Sequence, residues 1–128
     1  MPTDNQQSDQ HPVRHFWNAF RWSMKGIRST LKTEVAFRQE VLIAAILIPV
    51  AILLPVTTVN RILLIASVLL VLIVELLNSA LEAIVDLVSP DYHELAGKAK
   101  DCGSAAVFIS LISGALVWGL TIWELVLL

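Results

Sequence analysis

The chain has 128 residues, enough for one compact unit and too few for two ordinary domains. Hydrophobic residues make up 56% of it and mean hydropathy is +0.73, well outside ordinary soluble composition. The net charge of −2 says little by itself, no nucleic-acid partner is expected, and a lone cysteine, Cys102, excludes an intrachain disulfide.

Residues 1–13 are polar and without apolar period, which predicts a disordered tail, and the first 40 residues lack the early apolar core of a signal peptide. From residue 14 to 33 the pattern becomes helical. Phe16, Phe20, Met24, Ile27 and Leu31 recur on one face, with Arg14, Asn18, Arg21, Lys25, Arg28 and Lys32 on the other. A basic amphipathic helix of this kind lies in the headgroup plane, with Trp17 and Trp22 as interface anchors. The plain role is an anchor attracted to anionic lipid; closing a substrate or nucleotide site is the alternative.

Three apolar stretches follow, with spans expected at about residues 36–56, 62–88 and 102–126. Pro49 should bend the first and Pro55 fits its outer end. Ala106, Ser110 and Gly114 place small residues on the third, a pattern that lets membrane helices approach closely. The predicted fold is all-α and integral to the membrane, with three transmembrane helices and an N-terminal amphipathic surface helix in a single membrane domain, residues 14–128. Basic residues crowd the chain before the first span, and Lys98 and Lys100 lie in the link 89–101, while only Arg61 lies in the link 57–61. The positive-inside rule then puts the amino terminus and the second link in the cytoplasm.

The middle span carries Glu75, Asn78, Glu82 and Asp86. A carboxylate at bilayer depth costs roughly 2.5–3.5 kcal/mol on insertion scales. At 1.5 Å rise and 100° per residue they form one stripe about 16 Å long. The chain has no Walker phosphate loop, no dinucleotide fingerprint, no zinc cluster and no support for a Ser-His-Asp constellation, so chemistry must come from carboxylates, amides and lysines. Glu82, with Glu34 as second ligand, suits a hard divalent cation, and Lys98 and Lys100 suit phosphate oxygens. Glu75, about 10 Å deeper than Glu82, suits proton acceptance from a lipid hydroxyl. These are the parts of phosphoryl transfer from a nucleotide to a lipid alcohol. Proton or ion transport and a purely structural set of buried hydrogen bonds remain open as alternatives.

The run from Glu75 to Asp86 (ELLNSALEAIVD) closely resembles the signature of the small prokaryotic diacylglycerol kinases. Ala36–Glu40 (AFRQE) and Tyr92–Val107 (YHELAGKAKDCGSAAV) resemble two further blocks, and Ser23, Lys25, Gly26 and Arg28 resemble the family's surface-helix motif. The resemblance runs from about residue 14 to about 123. It implies a homotrimeric helical bundle in the bacterial inner membrane, with active sites shared between subunits. It also implies transfer of the γ-phosphate of MgATP to diacylglycerol, giving phosphatidic acid in phospholipid recycling. By position Glu75 resembles the catalytic base and a substrate contact; Glu34 and Glu82 resemble the Mg2+ ligands; and Asn78, Lys100 and Asp101 match active-site polar residues. Asp91, Tyr92 and His93 fall where the family contacts nucleotide, as do His15 and Trp22 on the surface helix, while Phe37, Arg38 and Ser104 fall beside the lipid substrate. His15 departs from an arginine, Trp22 from a tyrosine and Met24 from a tryptophan. Asp86 is read either as a site residue or as an interface cap, Asp101 alternatively as a helix N-cap, and Glu40 as an interfacial charge in preference to a residue flanking the site. Undecaprenol kinase is the alternative within the family, and a small transport or scaffold subunit the alternative outside it.

Overall fold

The computed structural model describes residues 11–128. Residues 1–10 of the expected tail lie outside that range. The described chain is four helices with no strand: α1 Pro12–Thr33, α2 Val35–Leu53, α3 Thr58–Val88 and α4 Glu94–Leu127. Helix α1 starts within the expected tail, at Pro12. Proline is tolerated in the first helical turn because its missing N–H has no intrahelical acceptor there. The described chain divides into two compact units at Thr33/Glu34. Glu34 itself is extended (φ −108°, ψ 114°), which ends one helix before the next begins.

In α1, Trp17 and Phe20 stack with ring centroids 5.8 Å apart. Ser23, Thr30 and Thr33 return their hydroxyls to carbonyls one turn earlier, a bond that spares a buried or apolar setting an unpaired donor.

In the second unit α3 is the central element, packing on α4 and on α2. Helix α2 buries Phe37, Ala44 and Ala51, one residue every seven, and continues through Pro49. It stops at Leu53 because Leu54, preceding Pro55, is pushed to extended backbone (ψ 139°). Its last carbonyls are capped from α3: the Arg61 guanidinium donates to Ala51 O (3.2 Å) and Leu54 O (3.0 Å). The connection to α3 is shorter than the expected link 57–61. Thr57 is already the N-cap, its hydroxyl accepting from Asn60 N at 3.2 Å.

The second connection is shorter too. Ser89 Oγ donates to Asp91 O (2.8 Å), and His93 caps α4 by accepting Leu95 N–H on Nδ1 (3.1 Å). Asp101 is therefore not the N-cap; it lies two turns inside α4. The apolar run that predicted a start at 102 missed a polar but continuous helical lead-in.

Facing seams join α3 to α4. On α3, Leu64, Val68, Val71 and Glu75 are buried and Asn78 and Glu82 half-buried, at alternating spacings of four and three. On α4, Gly103, Ser110 and Thr121 are buried and Val107, Gly114, Val117 and Trp118 half-buried. That alternation averages 3.5 residues per turn and keeps one stripe against a neighbour along a left-handed crossing. Gly103 takes the seam place expected for Ala106, which is exposed. Trp118 Nε1 donates to Leu64 O at 3.3 Å and ties the helices at one end.

Outside the seams the helices are apolar and uncovered. Leu42, Ile46, Leu63, Leu70, Ile73 and Leu116 all point outward. All three helices are long and apolar enough to cross a membrane, and an apolar exterior of this extent belongs in lipid. At 1.5 Å per residue the 31 residues of α3 reach about 46 Å, beyond a hydrocarbon core of about 30 Å, so its ends extend into the headgroup layers.

Candidate functional site

The polar stripe continues the packing seam. Every three or four residues α3 presents a side chain to its neighbours, and from Glu75 onward those places hold polar groups in series. Glu75 is 6% exposed, as buried as the valines before it. Its carboxylate lies within electrostatic range of those of Glu34 and Glu82, and Glu40 lies within range of Glu75. Carboxylates from the α2 N-cap, from α2 and from α3 thus flank Glu75 along this stretch of the bundle.

Asn78 organises the middle of the stripe. Its Nδ2 donates to Glu82 Oε1 (3.4 Å), one turn further on. Its Oδ1 is buried with no hydrogen-bond partner and faces Gly103 so closely that a Cβ there would overlap it. Leaving a buried carbonyl oxygen unpaired costs about 1–3 kcal/mol. Gly103 is the residue missed in the sequence; the available signal was a glycine inside a helix, which is unfavourable without a close-approach reason.

Glu40 also differs from expectation. It is half-buried, with one carboxylate oxygen buried and unpaired, and it borders an apolar groove with Ile43, Leu47, Ser67, Val71 and Trp118. It is not simply an interfacial charge: placing its Cα on the α2 seam turns the side chain toward α3.

At the stripe's end, Asp86 leaves the seam. It is exposed and forms an ion pair with Lys100 at 2.6 Å, linking α3 to the first turns of α4. The pair's side chains are 65% and 42% exposed, so its contribution to stability is small. Lys100 is thus on the stripe side of α4, whereas Asp101 and Ser104 are exposed. Asp91, Tyr92 and His93 form the exposed connection leading into α4, and Tyr92 leans over Gly97. Phe37 sits in the buried seam of α2 at 2% exposure, while Arg38 beside it is exposed. His15 and Trp22 are exposed residues of α1, in the other unit.

Among the described residues no three His, Cys, Asp or Glu side chains are arranged as a ready-made metal cage. The arrangement offers a buried carboxylate for proton transfer, a carboxylate held by an amide, a further carboxylate at the α2 N-terminus, and an accessible lysine.

Comparison with known proteins bears on this arrangement directly. The family model described as prokaryotic diacylglycerol kinase matches residues 21–122, most of the second unit, the later part of α1 and the entire stripe. The chain is 50% identical to the diacylglycerol kinase of Haemophilus influenzae over 107 residues, 84% of this chain and 91% of that protein. It is 48% identical to that of Escherichia coli K12 over 80% of this chain and 84% of the relative. With the Pseudomonas aeruginosa diacylglycerol kinase the identity is 49%, over 85% and 89%. A match of that extent, taking in three membrane-length helices and the polar seam between them, makes the chain a member of the prokaryotic diacylglycerol kinase family.

Proposed function

We propose that this membrane protein is a diacylglycerol kinase that transfers the γ-phosphate of ATP to the free hydroxyl of diacylglycerol, giving phosphatidic acid for phospholipid recycling. The observation that carries the reading is the seam itself: Glu75, Asn78 and Glu82 occupy places where packing alone would select apolar residues. Relatives near 50% identity are diacylglycerol kinases, which supports the substrate.

In this mechanism the lipid hydroxyl meets Glu75 at depth, in reach of its acyl chains' own environment. The hydroxyl proton passes to a Glu75 carboxylate oxygen as the hydroxyl oxygen bonds to the γ-phosphorus. The bond from that phosphorus to the β–γ bridging oxygen breaks, and ADP leaves with the electron pair. Asn78 holds Glu82 by its Nδ2, while its Oδ1 is packed against Gly103 and fixes the amide's orientation. Lys100 exchanges Asp86 for phosphate oxygens, and Asp101 stands next to it. Asp91, Tyr92 and His93 border the nucleotide, with His15 and Trp22 of α1 as further contacts, while Phe37, Arg38 and Ser104 border the lipid.

The donor set fits Mg2+. Two carboxylates, Glu34 and Glu82, suit an ion that takes few protein ligands and completes its shell with phosphate oxygens and water, and a preformed cage of three is not needed. A Mg2+ ion held by Glu34 and Glu82 would supply charge neutralisation for the nucleotide's phosphates. The protein acts as a homotrimer in the bacterial inner membrane, with the amino terminus and the connection before α4 in the cytoplasm and each site shared between neighbouring copies. The basic residues before α2, and Lys98 and Lys100, support that orientation.

The test is phosphate transfer from labelled ATP in mixed micelles containing diacylglycerol or undecaprenol. Labelled phosphatidic acid is the expected product. Transfer to undecaprenol alone would move the substrate within the family, and no labelled lipid from either would sink the kinase reading.

A further inference from the structure

The end of the bundle remote from Lys100 carries a second polar place. A shallow recess there is lined by Pro55, Thr57 and Asn60 around the start of α3 and by Glu124, Leu125 and Leu128 at the end of α4. From Lys100 to Glu124, α4 rises about 36 Å at 1.5 Å per residue, more than a hydrocarbon core of about 30 Å. With Lys100 at one membrane surface, the recess lies at headgroup level on the other. Trp123, exposed beside Glu124, is the residue type that settles at that depth.

Glu124 is the only acidic residue after Asp101. Among the described residues its carboxylate makes no ion pair and no hydrogen bond. Arg61, the base at this end, is committed elsewhere, its guanidinium donating to Ala51 O and Leu54 O. The half-buried Asn60 amide also has no partner among the described residues. Thr57 Oγ accepts Asn60 N–H and keeps a second lone pair. The recess thus brings together one unbalanced negative charge, two neutral oxygen acceptors and a leucine wall.

We infer that this recess docks the headgroup of phosphatidylethanolamine, with its ammonium on Glu124, Asn60 and Thr57 and the start of a chain against Leu125 and Leu128. A fitting ligand brings one positive charge, N–H donors for the neutral oxygens and an apolar body for the leucines. A primary ammonium, like that of lysine, carries three N–H donors. The methylated nitrogen of choline has none, and an anionic headgroup is repelled by Glu124. A divalent cation would find a single carboxylate and would leave the leucine wall uncovered. At headgroup depth the ammonium always at hand belongs to a lipid. The contact is an exposed ion pair, so it biases which lipid stands there without holding it for long. The inference concerns this end of the bundle and stands whether or not the kinase reading holds.

The test uses the full chain carrying Trp17→Phe, Trp22→Phe and Trp118→Phe, so that emission reports Trp123. It is reconstituted in phosphatidylcholine vesicles carrying equal fractions of brominated phosphatidylethanolamine or brominated phosphatidylcholine. The brominated ethanolamine lipid is expected to quench with an apparent affinity about two- to fivefold above its choline counterpart, the scale of one exposed ion pair. The preference is a ratio within each variant, so a general shift of Trp123 cancels. Glu124→Gln should remove it, Asn60→Leu should reduce it, and Glu124→Asp should keep most of it. High salt should weaken it. Equal quenching by both lipids in the parent protein, or a preference that survives Glu124→Gln, would overturn the inference. Millimolar Mg2+ should leave the preference intact; its loss would assign Glu124 to a metal cation instead.

Discussion

The two halves of the α3 seam are built on the same geometry and do different things. From Leu64 to Val71 the buried places are apolar or satisfied locally: Ser67 donates to Leu64 O at 2.8 Å, and across the interface Trp118 donates to the same carbonyl. Gly114 allows close approach there with room to spare, since a Cβ would meet Val71 at an ordinary 4.0 Å. From Glu75 to Glu82 the same places are polar, Asn78 Oδ1 has no partner, and Gly103 has no room at all. The first half joins helices; the second keeps polar atoms dry, fixed and incompletely satisfied, a state that costs folding energy and suits a site awaiting a substrate.

The largest effect should come from Glu75→Gln. It keeps shape and hydrogen bonding but removes the proton acceptor, so turnover in the micelle assay should fall about 10²–10⁴-fold. Binding of a non-hydrolysable ATP analogue should be little changed; near-normal turnover would refute the base assignment. Next come Glu34→Gln and Glu82→Gln. Both should raise the Mg2+ and ATP concentrations needed for half-maximal rate, by about tenfold or more each, the usual scale for disturbing a metal's ligands. If one were silent, the shared-metal reading would fail.

One substitution made in each half tests the contrast itself. Gly103→Ala forces Asn78 away from its place and should cost activity by about tenfold, roughly 1.4 kcal/mol in the barrier. Gly114→Ala should leave activity unchanged and alter thermal stability by less than about 1 kcal/mol, helix propensity favouring the alanine. Equal activity of the two variants would mean that the polar half is no more exacting than the apolar half. The smallest effect is expected for Trp118→Phe. It loses the bond to Leu64 O and should lower stability by about 1 kcal/mol in an unfolding titration, with transfer activity retained.

Much of this arrangement was legible from residue order. Apolar length predicted three membrane helices and the acidic stripe stood out against it, because lipid excludes charge so strongly that a carboxylate there needs a reason. The helix starts were less legible. His93 and Thr57 begin their helices in polar stretches, and hydropathy reports immersion in lipid, which says nothing of where a backbone starts to coil. Asp86 shows the limit of periodicity: it shares the stripe's arc, yet pairing with Lys100 draws it outward at the end of the seam.

Sequence alone determined the membrane class, the helical faces and the stripe, since hydrophobicity and helical period are local properties that each residue carries with it. Only the tertiary structure decided which residues of the stripe are enclosed. That α4 approaches α3 at Gly103 and not at Ala106, that Asn78 thereby loses a partner, and that Glu40 borders a groove with Ser67 and Val71 of α3 are relations between helices. They depend on crossing and register, which arise when all the seams pack at once.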